Sequence, residues 1–347
     1  MLKEFRFAVI GCGGISKLHI KQIQSIPNAK LIAVADEVEE RAKEFGELYD
    51  VDWYVGYKEM LKRDDIDIVN IVTPSGLHGK IAIDVAKSGM HVIVEKPIEV
   101  TLEKANEMIQ VCKESNVKLT VISQHRFDAA TRKIHNDIIE GKFGELVMGQ
   151  ACIHWYRSQA YYDSGAWRGT WELDGGGVLM NQSIHTIDLL QLFMGPVESV
   201  FAHTATKAHK RIEVEDIAVA TVKFKSGALG TITATTAAFP GLSTRIDIFG
   251  TKGTAIIQDD KLTQCYFSEE NNIEFLDLEK TKNIAETIHL ENHHQNAHRL
   301  QFLDMMDAIT NDREPEVNGP EGIKPLEIIL AIYKSAQTGK EISLPIT

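Results

Sequence analysis

The sequence predicts an α/β chain in two parts: a doubly wound parallel sheet over 1–124, then an α+β region with a large open, mainly antiparallel sheet over 125–347. Three observations carry this. Short apolar runs alternate with amphipathic helical patterns over the first third, and the first run ends in the glycine-rich string Gly11-Cys-Gly-Gly14. Beyond residue 140 the rhythm changes to longer β-rich stretches separated by turn signals.

Taken in order, the pattern predicts strands over 5–10, 31–35, 53–55, 66–72, 91–94 and 119–122, with helices over 15–26, 37–48, 78–88 and 101–115 between them. A further amphipathic segment, 129–140, leads into strands over 146–155, 197–206, 217–224, 228–237, 244–249 and 254–258. Lys225-Ser-Gly227 and Thr251-Lys-Gly253 read as hairpin turns. The apolar spacing of 177–194 is helical, and helices near 298–309 and 322–335 close the chain. There is no internal repeat and no low-complexity linker.

The first βαβ unit carries a phosphate-binding pattern. Gly11 and Gly13 stand where the first strand must turn sharply and let a phosphate approach the backbone. The helix opening at Gly14 and Ile15 turns its N-terminal N–H groups toward a pyrophosphate. Ser16 takes the third position of the string, where a small residue allows close helix–strand packing. Asp36 ends the second strand, where a carboxylate hydrogen-bonds the adenosine ribose and repels a 2′-phosphate. Glu37, Glu39 and Glu40 add to that repulsion, and Arg41 lies a turn beyond. The reading is NAD in preference to NADP; a second role for Asp36 is to cap the helix that follows.

Composition bounds the partners. The 347 residues suffice for two domains, each with a core, and the net charge of −12 with scattered lysines excludes a nucleic-acid surface. No apolar stretch is long enough to cross a bilayer, and the first strand begins within a few residues of Met1, which leads to an expectation of a cytoplasmic protein with no membrane partner. Cys12, Cys112, Cys152 and Cys265 are far apart and show neither zinc nor disulfide spacing. His293, His294 and His298 lack the acidic flank of a metal site, and no metal is expected.

Five motifs in order along the chain resemble the glucose–fructose oxidoreductase / inositol dehydrogenase (Gfo/Idh/MocA) family: the glycine string, Thr73-Pro-Ser-Gly-Leu-His78, Glu95-Lys-Pro97, the segment from Gly176 to Asp188, and Ile332-Tyr-Lys-Ser335. The resemblance implies a Rossmann domain, a substrate-binding and oligomerisation domain, and NAD(P)-dependent oxidation or reduction of sugar or cyclitol carbons. It also implies dimers or tetramers formed through the open sheet. It makes Lys96, just after the fifth strand, catalytic: an ammonium there donates to the reacting oxygen. Glu95, Thr73, Pro74 and His78 fall beside the cofactor, although His78, opening a helix, reads equally as part of a helix start. The Trp167–Arg168 pair is implied to contact the cofactor.

Hydride transfer from a secondary alcohol needs a group that accepts the hydroxyl proton. His185 has the right chemistry at neutral pH. In a helix, Asn181, His185 and Asp188 fall at i, i+4 and i+7 on one face, with Asp188 placed to orient the imidazole. Asn181 departs from the family's usual aspartate; an amide can orient a hydroxyl but cannot take its proton. The stretch from Ala160 to His185 resembles the branch of UDP-N-acetylglucosaminuronate 3-dehydrogenases, which carries asparagine there. That similarity implies oxidation at C3 of a nucleotide-linked sugar acid. Arg126, Arg157 and Arg168 are candidate partners for its carboxylate or diphosphate. A free sugar, inositol or anhydro-keto sugar is the alternative substrate, and a dinucleotide-binding sensor the alternative outside enzymes.

Overall fold

The computed structural model describes residues 3–269, 272–275 and 293–346, in two compact units that divide between Gln124 and His125. The first unit is built on six parallel strands: β1 (Phe5–Ile10), β2 (Ala29–Asp36), β3 (Asp52–Val55), β4 (Ile68–Ile71), β5 (His91–Val94) and β6 (Leu119–Val121). Their order, β3-β2-β1-β4-β5-β6, reverses direction at β1, so the crossovers α1 (Gly14–Gln24), α2 (Glu39–Tyr49), α3 (His78–Lys87) and α4 (Leu102–Glu114) make the sheet doubly wound. The strands read as nearly continuous apolar runs because helices cover both faces. In β4 all four residues are buried. The switch in strand order at β1 and β4 is where such sheets bind ligands, beyond the carboxyl ends of the strands.

The first unit also takes back residues 294–323, which the sequence reading had placed in the second domain. Helix α5 (Ala129–Ile139), α6 (Gln159–Asp163) and α7 (Ile184–Met194) belong to the second unit, and α8 (His293–Thr310) then returns to the first. Phe302, Met305 and Met306 of α8 are buried in one cluster with Phe5, Phe7, Val9, Ile20 and Ile68. Phe302 packs edge-on to Phe7, with ring centroids 6.1 Å apart. The short helix α9 (Gly319–Gly322) follows, and Val317 closes the edge of β6 by accepting from the Val121 N–H at 3.0 Å. Amphipathic spacing shows that α8 buries a face; it does not say which sheet receives it.

The second unit carries a nine-stranded sheet made of β7 (Leu146–His154), β8 (Val197–Ala205), β9 (Ile217–Phe224), β10 (Leu229–Thr235), β11 (Thr244–Gly250), β12 (Gly253–Gln258), β13 (Lys261–Glu269), β14 (Asn272–Phe275) and β15 (Ile342–Ser343). Their order is β14-β13-β12-β11-β7-β10-β9-β8-β15, antiparallel throughout except for the central β7–β10 pair. Both hairpins read from the sequence are present, joining β9 to β10 and β11 to β12. Strands β13 to β15 and helix α6 were not foreseen. Helices α7 and α10 (Lys324–Thr338) pack on one face of the sheet. The approach is tight: a β-carbon on Gly149 of β7 would lie 2.7 Å from Met194 of α7. Burial alternates strictly along β9, with Val219, Thr221 and Lys223 exposed on the opposite face.

Candidate functional site

The glycine string folds as its residues require. Gly11 has φ +103°, and a β-carbon there would lie 2.8 Å from the Val72 carbonyl oxygen. Ser16 locks the turn, its hydroxyl donating to Gly11 O at 2.6 Å and accepting from Gly13 N–H at 3.0 Å. Above Gly13 and Gly14 there is open space: β-carbons there would meet nothing within 4 Å. The start of α1, Gly14 and Ile15 included, therefore presents accessible backbone. Asp36 serves locally as well. Its carboxylate accepts from Cys12 N–H at 2.7 Å and Val38 N–H at 2.8 Å, and it retains acceptor capacity beyond those two bonds. Past β4, the Thr73 hydroxyl is buried without a hydrogen-bond partner beside Pro74, an orphan of the sort a ligand satisfies. An open helix N-terminus, an acid closing β2 and an unsatisfied hydroxyl after β4 together fit a dinucleotide.

Lys96 follows β5 directly, and the structure braces its turn from below. Glu95 is buried, accepts from His19 Nε2 at 2.9 Å, and takes the Lys96 N–H at 3.0 Å. His19 Nδ1 in turn faces the Asn70 side chain, and the buried His298 ring lies 5.3 Å from the His19 ring. Burial pushes the Glu95 carboxyl up. The His19 hydrogen bond, with the charges of His19, Lys96 and His298, outweighs it and holds the group well below the usual carboxylate range. Glu95 thus supports the lysine from within. His78 does the same, contrary to a place at the cofactor: its ring nitrogens face the carbonyl oxygens of Pro97 at 2.8 Å and Thr73 at 2.9 Å, tying the two loops together. The side chains of His293 and His294 lie outside the described residues.

In the second unit, α7 is preceded by one π-helical turn, Val178–Ser183. Its wider repeat breaks the single face expected for Asn181, His185 and Asp188. The Asn181 amide donates to Asp174 at 2.7 Å. His185 sets its ring edge-on to His125, centroids 5.1 Å apart, while Asp188 accepts a two-point ion pair from Arg126, from Nε at 2.8 Å and from Nη2. Arg126 and Asp188 are both buried, so this guanidinium edge is committed to holding α7 rather than to an anion. Asp188 correspondingly anchors the helix.

The start of the π turn is fixed by Glu215, which sequence reasoning missed. Its carboxylate is buried, accepting from the N–H groups of Gly177 and Leu179 and from the Tyr333 hydroxyl, each at 2.9 Å. Only glycine fits at 177, where a β-carbon would lie 1.8 Å from the Glu215 carbonyl oxygen. Burial dominates the hydrogen bonds and pushes the Glu215 carboxyl up to about 7. Near α6, Arg157 stacks on Trp155 and Tyr161, and Arg168 on Tyr161 and Trp167, with ring distances of 4.4–5.2 Å. Arg168 also donates to the Tyr161 hydroxyl at 2.7 Å. Among the described residues neither guanidinium is paired with a carboxylate, and Arg157 Nε is buried with no partner.

A doubly wound sheet with an open, glycine-lined helix start and an acid closing β2 defines a dinucleotide-binding protein. Family models confirm and extend this: residues 5–123 match "Oxidoreductase family, NAD-binding Rossmann fold" and residues 136–344 match "Oxidoreductase family, C-terminal alpha/beta domain". The chain belongs to the Gfo/Idh/MocA family of NAD-binding sugar oxidoreductases. Among solved structures it is similar to a WlbA dehydrogenase from Bordetella pertussis in complex with NADH and UDP-GlcNAcA. The two are 35% identical over 99% of this chain and 100% of that chain, with a TM-score of 0.88. The myo-inositol 2-dehydrogenase of Thermotoga maritima is 26% identical over 98% of both chains. The scyllo-inositol 2-dehydrogenase (NAD(+)) of Bacillus subtilis is 26% identical over 100% of this chain and 98% of its own.

Proposed function

We propose that this chain exchanges a hydride between NAD and a secondary ring hydroxyl, and that its substrate is a UDP-linked N-acetylhexosaminuronate reacting at C3. The observation that carries the substrate class is the Arg157–Tyr161–Arg168 stack, two guanidiniums without a carboxylate partner among the described residues. Partly buried cations left in that state favour an anionic ligand, and a planar guanidinium binds a carboxylate or diphosphate through two parallel hydrogen bonds. A neutral cyclitol would leave Arg157, the guanidinium not given to the cofactor, uncompensated. The similarity to a dehydrogenase seen with UDP-GlcNAcA supports the same reading.

When bound, NAD supplies the hydride acceptor. We assign its binding to Gly11, Gly13, Gly14, Ile15, Asp36, Thr73 and Pro74, with Trp167 and Arg168 carried over from the family motif. Asp36 favours an unphosphorylated ribose. His185 accepts the proton of the reacting hydroxyl as the bond to hydride breaks, and Lys96 donates a hydrogen bond to that oxygen as charge builds on it. Asn181, held by Asp174, orients a substrate hydroxyl. Copies of the chain associate through the open sheet face. A reducing cytoplasm suits the four free cysteines.

The test is absorbance of reduced nicotinamide when purified protein is mixed with UDP-N-acetylglucosaminuronate, and separately with inositols and simple sugars, under NAD and under NADP. Reduction of NAD by the nucleotide-sugar acid alone is expected. Reduction by a free polyol alone would retain hydride chemistry and discard the anionic substrate, and equal rates with NADP would discard the role given to Asp36. His185→Ala should lower turnover by about two to four orders of magnitude.

A further inference from the structure

Arg157 stands just past β7, and both polar groups of its main chain lead to one acid, Asp216. Its N–H donates to the Thr236 carbonyl at 2.8 Å, and the Thr236 N–H donates to the Asp216 carbonyl at 3.0 Å. Its own carbonyl oxygen lies 2.8 Å from His209 Nε2, while His209 Nδ1 lies 3.0 Å from the Asp216 carboxylate. A carbonyl oxygen can only accept, so His209 donates to Arg157. The His209 ring is buried although Ala208 and Lys210 on either side are exposed, and it meets Tyr162 edge-on with centroids 4.7 Å apart. The connection between β8 and β9 is wrapped on Asp216, whose buried carboxylate accepts from the N–H groups of Lys207 and Ala208 at 2.8 Å and of His209 at 2.9 Å. Burial pushes the Asp216 carboxyl up, but these bonds and the His209 ring outweigh it and hold it below the usual carboxylate range. The same connection touches the other members of the stack. Lys210 N–H donates to the Gln159 side chain at the start of α6, which carries Tyr161, and Glu213 N–H donates to the Gly169 carbonyl, next to Arg168.

We propose that His209, oriented by Asp216, is a positioning residue that fixes the main chain of Arg157 and thereby aims its guanidinium at the anionic part of the substrate. The proposal rests on the reading of Arg157 as an anion partner and adds what sets its direction. An arginine side chain has many rotamers, and ordering one during binding costs affinity. Here the ordering is done beforehand. With its N–H and its carbonyl both held, Arg157 leaves the backbone in one direction, which sets the guanidinium 5.0 Å from the Trp155 ring centre and 5.2 Å from that of Tyr161. Without the His209 bond the 157 carbonyl loses its partner, the peptide that follows is free to turn, and the ordering falls on the binding step.

The first arm of the experiment needs no substrate. The Arg157 Nε–H resonance of the full chain, assigned with Arg157→Lys, should lie upfield of the ordinary arginine position because the guanidinium sits over two aromatic rings. His209→Leu keeps the bulk of the ring but removes its donors, and should move that resonance toward the ordinary position. His209→Gln, whose longer amide still reaches the Arg157 carbonyl, should keep it near its native place. His209→Asn, whose amide reaches Asp216 alone, preserves the loop and should behave as His209→Leu does, which separates aiming of Arg157 from folding of the connection. In the second arm, turnover with UDP-N-acetylglucosaminuronate, His209→Leu and His209→Asn should raise KM for the nucleotide-sugar acid about tenfold while kcat and the KM for NAD stay within about twofold of native, and His209→Gln should restore most of the loss. An Arg157 resonance unmoved in His209→Leu and His209→Asn, or a loss shared equally by kcat and NAD binding, would overturn the proposal. A native protein inactive on the nucleotide-sugar acid would remove the anionic substrate instead, and the resonance arm would still decide by itself whether His209 holds Arg157.

Discussion

At the scale of single residues, the buried acids do most to define the site. Glu95 and Glu215 are both carboxylates in the interior, yet they end on opposite sides of their ordinary range because their partners differ. Glu95 faces a histidine and a lysine turn, whereas Glu215 faces only neutral donors, two backbone N–H groups and a tyrosine hydroxyl. Hydrogen bonds alone do not repay removal of the Glu215 charge from water, and its carboxyl rises from 4.5 to about 7. The folded chain therefore binds this proton more tightly than the unfolded chain does. Between about pH 4.5 and 7 the native state carries the extra proton, so the contribution of Glu215 to stability falls as pH rises through that window, by on the order of 3 kcal/mol. Urea unfolding at pH 5 and pH 7.5 measures this. Glu215→Gln should shrink the difference in stability between the two pH values, even though the amide turns a donor toward one of the N–H groups and lowers stability at both. An identical difference in native protein and variant would mean that Glu215 does not titrate there.

At the scale of elements, the sequence declared what periodicity can declare. Strands β1 to β12 were legible because apolar runs and turn residues are local signals, and α7 was legible down to its last turn. The π turn at Val178–Ser183 was not, because it depends on Glu215 seizing the N–H groups of Gly177 and Leu179 from 38 and 36 residues away. The same limit explains His78, Arg126 and Asp188: their residue types suit ligand contacts, and only the fold reveals that the Thr73 and Pro97 carbonyls, or each other, already occupy them. His19 carries no sign in the sequence that its partner is Glu95, 76 positions on. Helix α8 is the largest instance. Its apolar face completes the core of the first unit, so Phe302→Ala should cost about 3–5 kcal/mol through the cavity it leaves. Hydrogen exchange should show protection lost in β1 and β4 and kept in β9 and β10. Loss confined to β9 and β10 would place α8 with the wrong sheet.

At the scale of the whole molecule, the nine-stranded sheet has one face covered by α7 and α10 and one face with large apolar side chains in the open. Phe201, Val219 and Leu229 are all exposed there, and the ladder sets them among Thr221, His203 and Lys223 on adjacent strands. Scattered exposed apolar residues are ordinary, but these come from three neighbouring strands, β8, β9 and β10, on a surface already flattened by regular pairing. Such a face is self-complementary in the way a twofold assembly requires, since each strand of one copy can lie across its equivalent in the other. A stable pair would bury about 1,600 Å² or more in total, with Val219 and Phe201 toward its centre and Leu229 beside the Lys223–Glu198 ion pair toward its rim. The chain should therefore sediment as a dimer or tetramer. Leu229→Glu places a charge on the exposed face, at the hairpin end of β10 beside Lys223, without touching the covered face, to which Ile232 belongs. It should shift the sedimentation coefficient toward the monomer while circular dichroism and NAD binding stay unchanged. A variant that keeps the native sedimentation coefficient would move the contact away from β10, and a native protein that sediments as a monomer at micromolar concentration would remove the sheet face as an assembly surface altogether.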